Sequence, residues 1–422
     1  MLLLQPAQSA PRRGGRVGLA IAGGGPIGGM YELGALRALD EAIEGFDPTR
    51  LDVYVGVSSG AFLAAGLANR LTTAEMCRIF ITGDSLEAKF RPEIFLQPAF
   101  LEYFRRAANL PRLTYQWWRD LLTDPTRSQL SDLVGRLGGL IPTGIFANAE
   151  IERFLRSVFT ASGRSNDFRL LERKLYVVAV DLDSGEAVRF GSEGWDDVPI
   201  SLAIQASAAL PGLYPPVDIR GRHFVDGALR RTMHASVVMD HGVDLMIGIN
   251  PLVPFNASSR GGPAPEGRDR LASGGLPVVL SQTFRTLLQS RMQVGLAKYA
   301  QQYPAIDQVV FEPNEDDGEM FFTNIFSYSS RHRVCEHAFR STLADLRGRR
   351  EQLGPILLRH GLRLRDEVLD DHKLSVMDGV VRPRRQTATT ARLRRALDDI
   401  GELVQVRHAN RHRDGKRGRA PR

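Results

Sequence analysis

The hydrophobic pattern of residues 17–68 alternates between short apolar runs and stretches with helical spacing. Residues 17–22 form one nearly continuous apolar run, and residues 54–57 form a second run that is rich in valine. Between them, apolar side chains recur every three or four positions, at Leu33, Leu36, Leu39 and Ile43. Small residues follow the second run. This order predicts strand, helix, strand and helix, which is typical of a parallel α/β sheet.

Similar patterns continue along the chain to residue 360. Strands are predicted at residues 175–180, 187–190, 244–249 and 307–311, with a hairpin between the first two at Asp183-Ser184-Gly185. Helices are predicted at residues 151–158, 200–209, 277–303 and 331–360, and residues 251–275 read as a Pro/Gly/Ser-rich loop. We therefore predict the α/β fold class, with a mostly parallel central sheet flanked by helices.

Composition narrows the class of protein. The chain has 422 residues, of which 43% are hydrophobic, and no apolar run reaches the ~20 residues that a membrane-spanning helix needs. Residues 1–4 are too short for the core of a signal peptide, so we expect a cytoplasmic location. Cys77 and Cys335 are too few for a disulfide framework and lack metal-ligand spacing, so we interpret both as small buried residues.

Positive charge is concentrated at the end of the chain. Residues 381–422 hold 13 Lys/Arg and 4 Asp/Glu, a net charge of +9, whereas the whole chain carries only +7. The remaining residues are thus slightly acidic, which argues against a nucleic-acid binder and leads us to expect no nucleic-acid partner. The tail itself can contact anionic lipid or nucleic acid, or be a solvated, disordered end.

A glycine-flanked serine follows the second predicted strand. Gly56-Val57-Ser58-Ser59-Gly60 has the Gly-x-Ser-x-Gly form, between a β-branched run and a small-residue helix. Strand, tight turn and helix are the local structure of a nucleophile elbow, in which the serine projects from the strand end. The flanking glycines allow a close backbone approach that a Cβ would prevent. Ser58 is therefore the candidate nucleophile, and Ser59 is interpreted as a packing or turn residue.

A glycine-rich loop follows the first predicted strand. Gly23-Gly24-Gly25-Pro26-Ile27-Gly28 matches the dinucleotide fingerprint, but it can equally supply backbone N–H donors to a developing oxyanion. Dinucleotide binding needs an acidic residue at the end of the second strand, and that strand closes in Gly56-Val57-Ser58 instead. We therefore favour an acyl hydrolase over a non-catalytic module that binds an acyl chain or nucleotide.

A serine hydroxyl needs a base to accept its proton. His223 and His234 flank Asp226-Gly227-Ala228, where a short predicted strand runs into a tight turn. A serine–histidine–aspartate triad is one arrangement that these residues allow. The other interpretation of the Asp-Gly pair is a plain turn.

The chain resembles the patatin-like phospholipases. Four blocks match that family in order: the glycine loop, the Gly-x-Ser-x-Gly elbow, an Ala-Ser-x-Ala-x-Pro segment and an Asp-Gly-Ala segment. They lie at residues 23–28, 56–60, 206–216 and 226–228. The resemblance covers residues 17–250, and beyond about residue 315 it gives no information.

This resemblance implies a three-layer α/β/α fold and a lipid acyl hydrolase that cleaves ester bonds of phospholipids or lysophospholipids. It implies that Ser58 attacks the ester and that Asp226 is the general base, with an acyl-serine intermediate and no histidine. The family's oxyanion loop maps onto Gly23, Gly24, Gly25 and Gly28. No metal or cofactor is implied.

One residue departs from the family pattern. The family often has Lys or Arg where this chain has Ile27, so a cation that would help to hold developing negative charge is missing. Arg230 or Arg231 is our candidate for a substitute. The backbone donors of the loop are unaffected.

The hydrophobic pattern, the charge distribution and the family resemblance together predict the domain organisation. We expect a flexible lead-in at residues 1–15, the patatin-like catalytic domain at 16–325, a C-terminal helical extension at 326–380 and a basic tail at 381–422. Residues 80–145 are either a helical cap over the acyl-binding cleft or an insertion whose aromatic side chains fill its own core. These aromatic residues are Phe90, Phe95, Phe100, Tyr103, Phe104, Tyr115, Trp117 and Trp118. The expected partners are a lipid substrate and, through the tail, the membrane surface.

Overall fold

The chain forms two compact units, Met1–Val380 and Val381–Arg422. The structure, a computed structural model, describes residues 1–8, 15–83, 97–98, 115, 143–256, 271, 274–322 and 328–380. The second unit, which is the predicted basic tail, therefore lies outside the described residues. So do most of the predicted insertion and its aromatic side chains other than Tyr115, and residues 257–270 of the predicted loop.

Eleven strands lie within the described residues. They are β1 Leu2–Gln5, β2 Val17–Ile21, β3 Ile43–Glu44, β4 Val53–Gly56, β5 Lys174–Asp181, β6 Ala187–Phe190, β7 Val217–Ile219, β8 Arg222–Asp226, β9 Leu245–Ile249, β10 Asp307–Phe311 and β11 Arg363–Leu364.

The same parts of the chain contain eleven α-helices. They are α1 Gly25–Ala42, α2 Ser59–Ala68, α3 Thr73–Cys77, α4 Ala149–Phe159, α5 Ile200–Ser207, α6 Ser236–Met239, α7 Gly275–Gln302, α8 Gly318–Phe322, α9 Arg331–Gly348, α10 Arg350–Arg359 and α11 Asp366–Leu369.

Nine strands form one mixed, mostly parallel sheet. Its order is β1-β10-β9-β2-β4-β5-β8-β7, and β6 pairs with β5 as a hairpin. The five central strands, from β10 to β5, are parallel, whereas β1, β6 and β8 run antiparallel to their neighbours in the central block. Because parallel strands end at the same edge of a sheet, the loops that follow β2 and β4 lie side by side. The predicted fold class is confirmed.

Helices cover both faces of this sheet. Along β2, Leu19 and Ile21 face a core shared with α1, α2 and α9, and Ala20 faces a second core shared with α6 and α7. The alternation follows from the two-residue period of a strand. The result is the predicted three-layer α/β/α arrangement.

Helix α9 is part of the main core of the first unit. A Cβ added at Gly34 of α1 would lie 2.3 Å from the carbonyl oxygen of Cys335 and 2.8 Å from the Cβ of Ala338. The two helices therefore cross with their backbones in close approach, which only a glycine allows. The segment expected as a C-terminal extension contains α9 and α10 and belongs to the unit Met1–Val380.

The start of the chain departs from the prediction. Leu2–Gln5 is an edge strand, paired antiparallel with β10 from Leu2↔Phe311 to Gln5↔Gln308. Leu2 is buried against the core. The expectation of a flexible lead-in was therefore wrong for these residues, because three consecutive leucines gain enough from burial to order a four-residue strand.

Within the described residues, every helix is too short or too polar to span a lipid bilayer.

Candidate active site

Ser58 lies at the strained turn between β4 and α2. Its backbone has φ 50° and ψ −121°, a conformation that a residue with a side chain rarely adopts. The turn is tight because a Cβ at Gly60 would lie 2.4 Å from the carbonyl oxygen of Ala22, and one at Gly56 would lie 2.5 Å from the Cα of Ala61. Glycine is thus needed at both flanks. This is the geometry of a nucleophile elbow.

Asp226 ends the antiparallel strand β8, next to the elbow. It pairs with Ala179 of β5, while Gly56 of β4 pairs with Val177 on the other side of β5. Ser58, two residues beyond Gly56, is therefore at the same height along β5 as Asp226. The Ser58 hydroxyl lies close enough to the Asp226 carboxylate to lower its pKa. The structure thus brings these two predicted residues together.

Burial controls the acidity of Asp226. The side chain is only 3% exposed, and this desolvation raises its pKa from 3.8 to about 6. A hydrogen bond from the Ala228 amide, at 2.9 Å, and the nearby Ser58 hydroxyl lower the pKa, but by less than burial raises it. A carboxylate with a pKa near 6 is ionised at pH 7 and more basic than an exposed aspartate.

The glycine loop lies against both residues. A Cβ built on Gly23 would lie 2.9 Å from the Cβ of Ser58 and 3.4 Å from the Cβ of Ala228. Three of the four sequence motifs therefore meet at this point. The loop leads directly into α1, with Pro26 in its first turn.

Most of the predicted oxyanion donors are already engaged. The Gly23 amide donates to the carbonyl of Thr232 at 3.3 Å, the Gly24 amide to Oγ of Ser59 at 2.8 Å, and the Gly28 amide to the carbonyl of Gly24 at 3.1 Å. The amides of Gly25 and Ser59 begin α1 and α2, and neither has an acceptor among the described residues. These two helix-terminal amides are the ones that remain open to a ligand.

A buried network fixes the glycine loop to the elbow. Oγ of Ser59 accepts the Gly24 amide and donates to Oε1 of Glu32 at 2.9 Å. Glu32 is fully buried, and burial raises its pKa well above the usual value. Ser59 therefore has a specific role that the sequence did not reveal: it links the loop before α1 to the start of α2.

Ser207 supports the elbow from the opposite side. It accepts the Ser58 amide at 2.8 Å and donates to the carbonyl of Val178 at 2.6 Å. It belongs to the Ala-Ser-x-Ala-x-Pro segment, to which sequence reasoning assigned no catalytic role. The motif was a signal that this residue matters, but its contact, 149 positions away in the chain, had no spacing rule to predict it.

The histidines expected in a triad lie elsewhere. His223 is half-exposed and lies 4.0 Å from Asp183. His234 is buried, which lowers its pKa to about 4, and its Nε2 lies 3.3 Å from the carbonyl oxygen of Gly227. No histidine of the described chain is hydrogen-bonded to Ser58.

The structure also places Ile27, which stands where the family often has a cation, and the two arginines considered as substitutes. Ile27 is buried in the core rather than directed at the site. Arg230 lies 3.5 Å from Glu186, and Arg231 donates to Oγ of Ser236 at 3.2 Å. Neither arginine contributes to the pKa of Asp226. The described residues contain no cluster of three or more His, Cys, Asp or Glu that could hold a metal ion.

Comparison with known proteins matches these features to a family. The family model "Patatin-like phospholipase" matches residues 19–239, which is just over half of the chain and includes Ser58 and Asp226.

Solved structures give weaker similarities. VipD from Legionella pneumophila is 14% identical, covering 88% of this chain and 84% of that chain, with a TM-score of 0.29. ExoU of Pseudomonas aeruginosa, in complex with SpcU, is 16% identical, covering 70% and 54%, with a TM-score of 0.26. Human GIVD cytosolic phospholipase A2 is 12% identical, covering 83% and 60%, with a TM-score of 0.29. The chain thus spans less than two thirds of the length of the last two, and at these scores none of the three assigns an activity.

Proposed function

Because this chain belongs to the patatin-like phospholipase family, a family of lipid hydrolases, we propose that it cleaves carboxylic esters of phospholipids or lysophospholipids with Ser58 and Asp226. The observation that carries the proposal is the placement of the strained, buried Ser58 beside the buried carboxylate of Asp226, at the same height along β5. A nucleophile beside a base, at the mouth of two helix N-termini, is the arrangement that acyl transfer requires.

In the first half-reaction, Oγ of Ser58 attacks the ester carbonyl while its proton moves to Asp226. The carbonyl oxygen becomes an oxyanion, which the amides of Gly25 and Ser59 stabilise; one such donor is worth roughly 10²–10³-fold in rate. The tetrahedral intermediate then collapses. The bond to the alcohol breaks, the alcohol leaves with the proton from Asp226, and the acyl group remains on Ser58.

In the second half-reaction, water replaces the alcohol. Asp226 takes a proton from this water, which attacks the acyl-serine through a second oxyanion held by the same amides. Collapse releases the fatty acid and returns the proton to Oγ of Ser58. Each step uses the single carboxylate alternately as base and acid, so the dyad needs no further titrating group.

Fatty-acid release from mixed phospholipid and lysophospholipid vesicles tests the proposal. Mass spectrometry of the products identifies the acyl chains and the head groups that are attacked. We expect release by the unaltered protein and none by Ser58→Ala. Ser341→Ala, which removes a serine on α9 outside the site, is the matched control and should release fatty acid at the normal rate. Normal hydrolysis by Ser58→Ala would end the proposal.

A histidine triad remains distinguishable by substitution. The dyad predicts that His223→Gln and His234→Gln hydrolyse a soluble ester at nearly the normal rate, because neither ring contacts Ser58. A loss comparable with that of Ser58→Ala in either variant, with the fold intact by circular dichroism, would favour the triad instead.

The contact between the basic tail and anionic membrane stays a prediction. Deletion of residues 381–422 should weaken binding to anionic vesicles at low salt and leave hydrolysis of a soluble ester unchanged. Unchanged vesicle binding would exclude this role of the tail.

A further inference from the structure

Helix α7 presents an apolar stripe to solvent. Leu276 and Val294 are 70% and 68% exposed, and four more large apolar side chains along the same face are each at least 45% exposed. These four are Val279, Leu280, Phe284 and Leu287. At 3.6 residues per turn, Leu276, Leu280, Leu287 and Val294 lie within a narrow arc of the helix. We call these six residues the α7 stripe.

The buried face of the same helix is polar in its first half. Arg285 is buried and donates to the carbonyl of Val253, and its guanidinium lies 5.4 Å from the ring centroid of Phe321. Gln289 is buried and donates to Oε2 of Glu312 at 3.3 Å. Over this stretch the buried side chains of helix α7 are the polar Arg285 and Gln289, whereas its exposed side chains are mostly apolar, with Thr283 and Thr286 among them.

This distribution is the reverse of an ordinary surface helix. Such a helix turns its apolar face to the core, because burial of that face drives packing. An exposed apolar stripe of several large side chains marks a surface that contacts something else. Thr283, within the stripe, donates its hydroxyl to the carbonyl of Val279 at 2.8 Å, so even this polar group is satisfied inside the helix.

A basic cleft adjoins the second half of the stripe. It has a volume of about 540 Å³ and lies between α7 and the segment from Arg230 to Ser236. Val294 lines both the stripe and the cleft. The charged residues of its lining are Arg189, Arg230, Arg231, Arg291, Lys298 and Asp240. Five cations thus face one carboxylate, which already accepts a hydrogen bond from Tyr303 at 2.6 Å.

Most of these cations have no acidic partner. Within the described chain, only Arg230 forms an ion pair, with Glu186 at 3.5 Å. Arg291 donates to the carbonyl of Leu229, and Arg231 to Ser236. The positive potential reaches the floor of the cleft, where Arg231, Arg189 and Arg230 add to burial in lowering the pKa of His234. An anion that enters would gain several unpaired donors at once.

We propose that the α7 stripe and the basic cleft together form a docking surface for an anionic phospholipid leaflet. The stripe enters the boundary between head groups and acyl chains, and the cleft binds the phosphate of a lipid head group. From Leu276 to Val294 the helix runs about 27 Å, which suits a helix lying in the plane of an interface. The proposal concerns attachment, and it rests on the proposed function only for the choice of a lipid surface.

A lipid leaflet fits this surface better than a protein partner or a second copy of the chain. The threonines beside the stripe, Thr283 and Thr286, donate their hydroxyls to carbonyls of the helix itself, so these protons are not available to fix register in a protein interface. Four of the five adjoining cations form no ion pair within the described residues, as expected for a surface that meets phosphates. A second copy would bring equal positive charge to the same place if the contact were two-fold symmetric.

Vesicle flotation with the full chain tests the proposal. Ser58→Ala is the background, so that hydrolysis does not alter the lipid, and the vesicles are phosphatidylcholine with or without 30% phosphatidylserine. We expect Leu280→Ser/Phe284→Ser/Leu287→Ser to reduce binding to both kinds of vesicle by about tenfold or more. The matched control, Leu170→Ser/Leu182→Ser/Leu358→Ser, removes exposed apolar side chains elsewhere and should bind normally.

The cleft is tested by the preference for anionic lipid. Arg291→Gln/Lys298→Gln should reduce the ratio of binding to phosphatidylserine vesicles over pure phosphatidylcholine vesicles about tenfold. Lys174→Gln/Arg363→Gln removes the same charge from exposed positions elsewhere and should leave the ratio unchanged. Because both pairs keep residues 381–422, the contribution of the basic tail is equal in the two variants.

A fluorescent label gives a second measurement. It detects contact with lipid directly and does not depend on a variant that binds vesicles less. Cys77 and Cys335 are buried, so Leu287→Cys can be labelled selectively with an environment-sensitive dye. Vesicles should shift its emission to the blue, whereas Leu358→Cys on α10 should not respond. Normal flotation of the triple serine variant, or a label at Leu287→Cys that stays in water, would overturn the proposal.

Two further results separate the alternatives. If the unaltered protein is dimeric in solution and the triple serine variant is a monomer with normal flotation, the α7 stripe is an interface between copies and the proposal is wrong. Hydrolysis of a soluble ester is measured on the same variants with Ser58 restored. Docking without hydrolysis by the unaltered protein would remove the proposed function and leave the docking surface standing.

Discussion

Asp226 is a carboxylate buried beside a serine, whereas the α7 stripe is a row of leucine, valine and phenylalanine side chains left in water. Both regions depart from the usual distribution of polar and apolar groups, but in opposite directions. At the proposed dyad, burial costs stability and raises the pKa of Asp226 to about 6. On α7, exposure forgoes stability that burial would provide. In each region the arrangement lowers the stability of the fold, and we propose that it serves contact with a ligand.

The largest effect is expected from replacing the buried base. Asp226→Asn should lower kcat/KM for a soluble ester by about 10²–10⁴-fold, because the amide cannot accept the proton of Ser58. Ser341→Ala provides the control rate. If Asp226→Asn keeps nearly normal activity, another group is the base. The burial of Asp226 would then have no catalytic role to compare with the exposure of the α7 stripe.

The same substitution should stabilise the protein at high pH. The pKa of Asp226 rises from 3.8 to about 6 on folding, so its contribution to stability is fully present below about pH 4 and lost as pH rises through 6. The loss is about 3 kcal/mol. Asp226→Asn should therefore be more stable than the unaltered protein at pH 8 and not at pH 4, measured by urea unfolding. Equal stability at pH 8 would mean that burial of this carboxylate is not costly.

Activity should follow the ionisation of the dyad. Since only the ionised carboxylate of Asp226 can accept a proton, kcat/KM for a soluble ester should be level above about pH 6 and fall about tenfold per unit below it. An inflection near pH 4 would show that the carboxylate behaves as if exposed.

Glu32 should act as a positioning residue through Ser59. Glu32→Ala removes the acceptor of the Ser59 hydroxyl, so the Gly24 amide loses a fixed partner, and kcat should fall about 10–10²-fold with little change in KM. Glu32→Gln keeps an oxygen acceptor and should restore most of the rate. A purely structural role would instead affect thermal stability in both variants and leave kcat of the folded protein unchanged.

The smallest effect, on the free energy of unfolding, is expected from substitutions in the α7 stripe. Leu280→Ser and Phe284→Ser should each change the free energy of unfolding by no more than about 1 kcal/mol, because nearly half of each side chain is already exposed in the folded protein. Leu33→Ala in the buried face of α1 should cost about 2–5 kcal/mol and is the internal standard. A cost above about 1 kcal/mol at Leu280 would mean that the stripe is packed against the protein in solution.

Local patterns predicted the parts of the site that depend on short segments. The elbow at Ser58 and the turn at Asp226 each follow from a few adjacent residues whose spacing fixes the backbone. The contacts of Ser59 with Glu32 and of Ser58 with Ser207 join residues 27 and 149 positions apart, and no periodicity encodes them. Their importance is visible only once the strands are in register.

The sequence pattern predicts that α7 is a helix but not which of its faces is buried. Apolar residues at helical spacing predict a helix at residues 277–303, and the structure confirms it as Gly275–Gln302. The same rule would place the apolar stripe against the core, whereas here it faces outward. The buried face carries Gln289, which hydrogen-bonds Asn250 and Glu312, two polar residues far away in the chain whose need for a partner no local pattern encodes.

The turn after β5 separates the two halves of the dyad along the chain. Ser58 precedes it and Asp226 follows it. The Asp183 side chain is 75% exposed, and a Cβ built on Gly185 would have no atom within 4 Å. A cut at this turn would leave Ser58 and Asp226 on different fragments. These fragments would be joined by the pairing of β5 with β6 and β8, of β2 with β9 and of β1 with β10, and by the packing of α1 against α9. Ester turnover would then report directly on fragment reassociation, which would make the hairpin a natural site at which to engineer a split reporter.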